Sequence, residues 1–243
     1  YIATHSHCAE LESANAVATF PGPSGRKIVI GAHFDSWDVS QGAIDNGLGT
    51  AVLFEVARLV HRFVPDRKHT IECVWFNGEE LGLWGAKKYV EKHASDDIAV
   101  VINMDMIGTP TGFNAMGNDT LLPFLRALAR DLNGFGMSTE IGNQPWTNSD
   151  HMPFIMNGIP TITLYARLDE AMGRTYHDFP DTFDKVSKRY LSDAAAVVGV
   201  LAAELSRSEN LGLRRRTREQ TVSFLRKFRL EDILRREGEW IFE

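Results

Sequence analysis

The chain has 243 residues, of which 44% are hydrophobic and 24% are charged, the composition of a globular protein with a substantial buried core. Its net charge of −6 argues against a nucleic-acid-binding surface and against a basic membrane-binding patch. No apolar run approaches the roughly 18 residues of a membrane-spanning helix, so we expect no membrane span.

The start of the chain and its two cysteines carry weaker signals. The chain begins at Tyr1 without a signal-peptide pattern, so we expect an upstream piece to be missing, and the sequence assigns no compartment. Cys73 lies in an apolar run and is expected to be a small core residue. The group His5-Ser6-His7-Cys8 resembles a metal cluster, but no fourth ligand follows at useful spacing, which favours a polar terminal segment.

Strands and helices alternate along residues 13–206. Apolar, β-branched runs predict strands over 13–20, 27–32, 70–77, 98–104 and 159–164. Apolar residues at helical spacing predict helices over 46–64, 80–93, 119–133, 149–157 and 187–206. Residues 109–118 are predicted to form a loop because they contain Pro110, Gly112 and Gly117. The predicted fold class is α/β, a three-layer sandwich with a mixed, mostly parallel central sheet flanked by helices.

The last segment, residues 207–243, differs in charge from the rest of the chain. It contains ten Lys or Arg against seven Asp or Glu, whereas the whole chain is acidic. Apolar residues spaced among these charges predict one or two amphipathic helices. We therefore predict a main domain over 1–206 and a basic helical extension over 207–243. The extension either packs on the main domain or contacts a partner subunit or the missing upstream segment.

Five potential metal ligands stand just after predicted strands or at turns. They are His33, Asp45, Glu80, Asp105 and His177. Because functional sites of such sheets collect at the carboxyl ends of the strands, separate elements bring these groups to one edge. Two imidazoles and three carboxylates without a cysteine suit Zn²⁺, or Mn²⁺ or Co²⁺. With one bridging carboxylate, each of two metals about 3.5–4 Å apart obtains three protein ligands.

Two further acidic features stand beside these ligands. Glu79 and Glu80 follow Gly78 at the end of a predicted strand, where adjacent acidic residues often form a solvated turn or a helix N-terminus. Alternatively, because neighbouring side chains diverge, one glutamate binds metal while the other is the general base for a water. Asp35, two residues beyond His33, is the carboxylate expected to accept a hydrogen bond from the second ring nitrogen of a metal-bound His33.

Five ordered segments resemble those of the M28 family of zinc exopeptidases. They are GAHFDSWDVSQGAIDNGLG (31–49), FNGEELGLWGAKKYV (76–90), NMDMIG (103–108), SDHMPFIMNGIP (149–160) and YHDFPDTFDKV (176–186). Their order and spacing over most of residues 13–206 are more specific than any single segment. DSWDVSQGA is most similar to the carboxypeptidase Q branch of the family. The resemblance implies the zinc exopeptidase fold, which is also described as phosphorylase/hydrolase-like.

The resemblance also implies roles for individual residues. Asp45 would bridge two zinc ions, with His33 and Asp105 completing one site and Glu80 and His177 the other; Mn²⁺ or Co²⁺ are possible substitutes.

Four residues outside the ligand set complete the implied site. Glu79 would be the general base, and Asp35 would orient the nearby histidine ligand. Tyr176 matches a position that in some relatives polarises the substrate carbonyl, although the residue type varies there. Asp150 either supports the site from the pocket wall or caps the short helix that it begins.

The expected function is that of a metallo-exopeptidase, with residues 1–206 as the catalytic domain and its N-terminal part missing. It would hydrolyse the terminal bond of peptides or dipeptides. The alternatives are a single-zinc acyltransferase similar to glutaminyl cyclase and a non-catalytic binding module on the same fold. A peptide substrate is the expected partner, with a homodimer or another contact through residues 207–243. Family resemblance favours export to the periplasm or outside the cell.

The preference for one end of the peptide stays open. Residues 165–176 precede His177 and are expected to border the substrate pocket. Asp169 or Glu170 would hold a free amino terminus, and Arg167 or Arg174 would hold a free carboxylate. The simpler interpretation is that all four are solvated loop charges.

Overall fold

The computed structural model describes residues 3, 5, 7, 9–168, 176–210 and 212–242. The strands are β1 Ala16–Phe20, β2 Lys27–His33, β3 Thr70–Phe76, β4 Ile98–Asn103, β5 Thr109–Asn114 and β6 Thr161–Arg167. The α-helices are α1 Leu48–Phe63, α2 Trp84–Lys92, α3 Leu122–Asp131, α4 His151–Met156, α5 Lys188–Arg207, α6 Arg218–Lys227 and α7 Glu231–Arg236. Among the described residues, no helix has both the length and the apolar character needed to cross a membrane.

The six strands form one mixed sheet in the order β1-β3-β2-β4-β6-β5. The four inner strands β3, β2, β4 and β6 run parallel, whereas β1 and β5 pair antiparallel at the two edges. The four parallel strands therefore all end on the same side of the molecule, and this row of strand ends is called the carboxyl edge of the sheet. The predicted α/β class with a mixed, mostly parallel sheet is confirmed.

Helices cover both faces of the sheet, which makes the fold three layers thick. Within β2, Ile28 and Ile30 pack into one core with α1, α3 and α5, while Val29 packs into the other core with α2 and α4. Alternate residues of a strand point to opposite faces. A strand covered on both faces therefore has the continuous apolar run from which β2, β3 and β4 were predicted.

The loop predicted over 109–118 is wrong in its first half, because residues 109–114 form the edge strand β5. Pro110 has no N–H to donate, but an edge strand tolerates proline. The register of β5 against β6 shifts between Pro110 and Gly112, an irregularity that accommodates both residues. Pro110 and Gly112 do disfavour a regular strand, but hydrogen bonding to β6, which is distant in the sequence, stabilises a strand here nevertheless.

The helix predicted over 80–93 begins later than expected, at Trp84. Gly82 has a φ of +114° and Leu83 a φ of +61°, which are incompatible with a continuous right-handed helix. Glu79 and Glu80 consequently lie in a turn directly after β3 rather than in the first turn of a helix.

Residues 218–242 pack on α4. α6 begins with a capping box, in which Thr217 and Gln220 satisfy each other's backbone N–H groups. Apolar residues of α6, α7 and the chain after them form a third core with the apolar residues of α4; its fully buried members include Leu225 and Leu234. The domain boundary near residue 206 stays a prediction.

The two cysteines differ in what the structure says of them. Cys73 is fully buried in β3, as predicted, and burial raises the pKa of its thiol to about 12. His5 and His7 are exposed, and Cys8 lies outside the described residues.

Candidate metal centre

The five predicted ligands converge at the carboxyl edge of the sheet. His33 is the last residue of β2, Glu80 follows β3, and Asp105 follows β4. Asp45 lies in the distorted helical turn just before α1, and His177 precedes α5. His33 and His177 are almost 150 residues apart in the sequence. They lie close together because the strands of a parallel sheet end at the same edge.

Asp45 lies in the middle of the cluster, with its two carboxylate oxygens facing different histidines. Its Oδ1 is 3.3 Å from Nε2 of His33, and its Oδ2 is 3.2 Å from Nε2 of His177. Asp45 is 5% exposed, so both oxygens are directed into the site rather than into solvent. This arrangement is the one that a bridging carboxylate requires.

Each histidine has a second carboxylate beside it. Oδ1 of Asp105 is 3.5 Å from Nε2 of His33, and Oε2 of Glu80 is 2.9 Å from Nε2 of His177. The cluster is compact, because donor atoms of His33, Asp45 and Glu80 all lie within 4.8 Å of one another. The same is true of His33, Glu79 and Asp105.

The donor atoms themselves fit a metal ion. Nε2 of His33, Oε1 of Glu80 and Oδ1 of Asp105 are buried and have no hydrogen-bond partner among the described residues. Buried polar atoms are normally hydrogen-bonded, and a bound cation is one way to satisfy such atoms. Imidazole nitrogen with carboxylate oxygen is a donor set that suits zinc.

The electrostatics of the cluster also fit a cation. Burial raises the pKa of Glu80 to about 7, and the neighbouring Asp45 adds to this shift. Burial lowers the pKa of the His33 imidazole, but the adjoining carboxylates, Asp105 foremost, raise it more, so the net shift is upward. Several carboxylates therefore share one poorly solvated site, where positive charge stabilises them.

Glu79 differs from Glu80 in its contacts. Burial raises the pKa of Glu79 to about 9, and the charges of Asp105, Asp150 and Glu80 reinforce this shift. Of the two glutamates, Glu80 forms an ion pair with His177 and Glu79 does not. Adjacent glutamates in the turn after β3 therefore point to different parts of the site.

Asp35 fixes the glutamate turn rather than only the histidine. Its two carboxylate oxygens accept hydrogen bonds from the backbone N–H groups of Glu79 and Glu80, each at 3.1 Å. Nδ1 of His33 is 3.1 Å from the main-chain carbonyl of Asp35 and 3.7 Å from its carboxylate. The His33 hydrogen bond thus goes to the backbone carbonyl, which selects the tautomer with a proton on Nδ1.

Asp181, which the sequence analysis did not select, holds the segment that carries Asp45. Its carboxylate accepts hydrogen bonds from the backbone N–H groups of Ile44 at 2.7 Å and of Asp45 at 3.0 Å. Asp181 is 1% exposed although it lies in a polar loop. The signal for it was the second aspartate of HDFPD, which alone resembles an ordinary turn residue.

Asn46 connects the Asp45 segment to the chain after β4. Its side-chain amide donates to the carbonyl of Met104 at 2.8 Å, and its amide oxygen accepts from Gly49 and Met106. A side chain at Gly49 would collide with the amide of Asn46, so only glycine permits this approach. The segments that carry two of the ligands are therefore held together by direct hydrogen bonds.

Asp150 is a buried carboxylate beside the cluster and not a helix cap. Both of its oxygens are buried without a hydrogen-bond partner in the described parts of the chain. Its side chain accepts no hydrogen bond from the N-terminus of α4, so the capping interpretation is wrong. Burial raises the pKa of Asp150 well above its usual range.

Two aromatic rings flank His177, whose φ is +61°. Trp37 stacks on the imidazole with ring centroids 4.9 Å apart and an interplanar angle of 19°. Tyr176 lies 4.6 Å away on centroids, at 58°, and is about half exposed.

The structure describes only part of residues 165–176, which were predicted to border the substrate pocket. Arg167 is an exposed residue at the end of β6. Asp169, Glu170 and Arg174 lie outside the described residues.

A cavity of about 280 Å³ opens onto the cluster. Its lining residues include Trp37, Glu79, Glu80, His177, Leu234 and Glu237. The residues of the cluster thus share a cleft with residues of the C-terminal segment.

The fold and the cluster place the chain in a class of α/β proteins that have imidazole and carboxylate groups clustered at the carboxyl ends of their parallel strands. Residues 15–202 match the model of peptidase family M28, and the chain belongs to this family. The resemblance read from the five sequence segments is confirmed.

Named relatives and solved structures agree with this assignment. The chain is 30% identical over 206 residues to leupeptin-inactivating enzyme 1 of Streptomyces exfoliatus, covering 75% of this chain and 47% of that protein. It is 29% identical to mouse carboxypeptidase Q, covering 79% of this chain and 42% of that protein. The chain therefore spans about half the length of these relatives.

Two solved structures have the same fold. A zinc aminopeptidase from Bacillus subtilis superimposes with a TM-score of 0.67 and 27% identity, covering 80% of this chain and 50% of that chain. A glutaminyl cyclase from Porphyromonas gingivalis superimposes with a TM-score of 0.62 and 25% identity, covering 80% of this chain and 76% of that chain. The fold alone therefore does not separate peptide hydrolysis from acyl transfer.

Proposed function

We propose that this chain contains the catalytic domain of a two-zinc exopeptidase. The observation that carries the proposal is the position of Asp45, whose two oxygens face His33 at 3.3 Å and His177 at 3.2 Å. His33 and Asp105 would hold one zinc ion, and His177 and Glu80 the other. A single zinc ion would not require one carboxylate to face two separate histidines, whereas a pair of zinc ions would.

When bound, zinc lowers the pKa of water and polarises a carbonyl group. The protein's part is to hold its ligands rigidly and to move a proton. Asp35, Asp181 and Asn46 hold the ligand segments through backbone hydrogen bonds, so the donor atoms need little reorganisation.

Glu79 is the proposed general base. It lies among the donor atoms of the cluster without the contact to His177 that Glu80 makes. Zinc held by the neighbouring ligands would lower the pKa of the Glu79 carboxyl from the raised value that burial and neighbouring acids produce. Glu79 then accepts a proton from the attacking water and returns it to the leaving amine.

Tyr176 is the proposed donor to the substrate carbonyl oxygen. Its half-exposed ring lies against His177, which supports a place at the rim of the cleft. A hydroxyl there would stabilise the negative charge that develops on the carbonyl oxygen during attack.

Acyl transfer of the glutaminyl cyclase type is the second candidate, and the shared fold favours it. It requires one zinc, which leaves one of the two histidine–carboxylate pairs without a function. The presence of both pairs in this chain therefore supports hydrolysis.

The function is tested with the purified chain, loaded with zinc and compared after chelation. A dipeptide is assayed against its N-acetylated and C-amidated forms, and an N-terminal glutaminyl peptide is assayed for cyclisation. We expect zinc-dependent hydrolysis of the dipeptide and loss of turnover for one blocked form. Equal cleavage of all three, or cyclisation without hydrolysis, would contradict the proposal.

A further inference from the structure

The C-terminal segment, residues 207–242, lies outside the part of the chain that matches the family, which ends at residue 202. Its contacts nevertheless bring it to the candidate metal centre. Phe224, Leu225 and Leu234 pack with Met152 and Ile155 of α4 in one buried cluster. Because α4 begins directly after the buried Asp150, a segment that packs on α4 is held beside the cleft.

The cleft and the C-terminal segment share a wall. Leu234 of α7, together with Glu237 and Glu239 in the turn that follows, lines the same cavity as Glu79 and His177. Leu234 is 1% exposed and anchors this turn from below through the apolar cluster. Hydrogen bonds from the backbone N–H of Glu237 to Ile233 and of Glu239 to Leu234 fix the turn.

The two glutamates of this turn differ in their pairing. The carboxylate of Glu239 forms a 2.7 Å ion pair with Nζ of Lys87 on α2, so its charge is neutralised within the protein. The side chain of Glu237 is exposed and makes no hydrogen bond or ion pair with any described residue. Glu237 therefore presents an unneutralised carboxylate at the wall of the cleft.

Apart from the proposed metal ions, the described residues bring no positive charge to the wall of the cleft. The cavity lining among described residues contains no lysine or arginine. A cationic group on the peptide would meet a free carboxylate there, whereas an anionic group would be repelled.

We infer that Glu237 is a specificity-determining residue that binds a cationic nitrogen of the peptide, and that the C-terminal segment is part of the substrate site. The nitrogen belongs either to a free α-amino group or to a lysine or arginine side chain, which have the same chemistry toward a carboxylate. This inference rests on the proposed exopeptidase function and names the substrate class of that site.

The test uses Glu237→Gln in the full, zinc-loaded chain, with Asp232→Asn as a matched control. Asp232 is an exposed acid on α7 that does not line the cavity, so its substitution makes the same charge change elsewhere on the segment. Two pairs of peptides are compared. A lysyl peptide is set against its norleucyl counterpart, and a peptide with a free amino group against its N-acetylated form.

We expect Glu237→Gln to lower the kcat/KM preference for the cationic member of one pair by about two- to fivefold, the range of a solvent-accessible ion pair. The change should appear mainly in KM, because charge recognition at the wall does not touch the reacting bond. Loss in the lysyl pair identifies a side-chain subsite, and loss in the acetylation pair identifies an α-amino subsite. Asp232→Asn should keep both preferences.

Unchanged preferences in both pairs, or an equal loss for every peptide, would overturn the role of Glu237. Failure of the proposed function is seen separately, as absence of hydrolysis of every one of these peptides by the unsubstituted chain. In that case binding of lysine amide and norleucine amide, measured by calorimetry on both variants, still tests the residue. If Glu237→Gln and the unsubstituted chain bind each of the two amides with equal affinity, the inference is again overturned, because both amides carry an α-amino group and lysine amide adds the side-chain nitrogen.

Discussion

Asp181 is predicted to be essential for the stability of the Asp45 segment, although it is not itself a metal ligand. Its carboxylate accepts two backbone hydrogen bonds, from Ile44 and Asp45, in a site that is almost completely buried. In Asp181→Asn one oxygen still accepts, but the new NH₂ group faces an N–H donor that has lost its partner. Loss of one hydrogen bond to a buried charged group costs about 1.5–3 kcal/mol.

For a chain of this size, such a loss lowers the Tm by roughly 3–12 °C. Because the displaced segment carries the proposed bridging ligand, zinc affinity should also fall by about 10–100-fold, as is usual when a residue supporting a ligand is removed. The assay is urea unfolding with and without zinc, together with zinc titration against a competing chelator.

The matched control is Asp178→Asn. Asp178 lies three residues earlier in the same loop and is exposed, and its carboxylate accepts from the backbone N–H of Phe179 at 2.8 Å. Its substitution should change the free energy of unfolding by no more than about 0.5 kcal/mol. Equal stability and equal zinc affinity of the two variants would refute the reasoning that Asp181 holds the Asp45 segment.

Three other predictions concern the base, the aromatic support and acid stability. Glu79→Gln should retain zinc but lose roughly 10²–10⁴-fold in turnover; near-normal turnover would remove Glu79 from the base role. Trp37→Leu, compared with Trp37→Phe, should weaken zinc binding at His177 by about fivefold, the value of one ring stack, and no difference between the two would contradict a positioning role. Burial lowers the pKa of His151 to about 4, so the unfolded state binds its proton more readily. Stability should fall as pH drops from about 6.5 to about 4, by roughly 3 kcal/mol, and parallel unfolding profiles of the zinc-free chain and zinc-free His151→Gln across that window would refute this.

The sequence predicts the inner sheet well because its strands carry their own signal. β2, β3 and β4 are buried on both faces, so continuous apolar runs mark them, and the ligands follow at their ends. By contrast, β5 contains Pro110 and Gly112 and forms only because it pairs with β6. The residues of this segment alone predicted a loop, because they carry no information about pairing with β6.

The site was predictable to the extent that its residues follow strands or belong to recognisable segments. Asp181 was missed because its function depends on two backbone groups more than 130 residues away. The hydrogen bonds of the Asp35 carboxylate to the glutamate turn likewise depend on tertiary contact. Glu237 reaches the cleft only because α6 and α7 pack on α4, a packing that charge and periodicity do not specify.

The central claim is that Asp45 joins two metal ions, and counting bound zinc tests it most directly. Zinc content per chain is measured after dialysis for the unsubstituted protein and for Asp45→Asn. We predict about two zinc ions per chain without the substitution and a marked loss of both with it, because each site depends on one oxygen of the bridge. A single zinc in the unsubstituted chain, or two zinc ions retained by Asp45→Asn, would contradict the account.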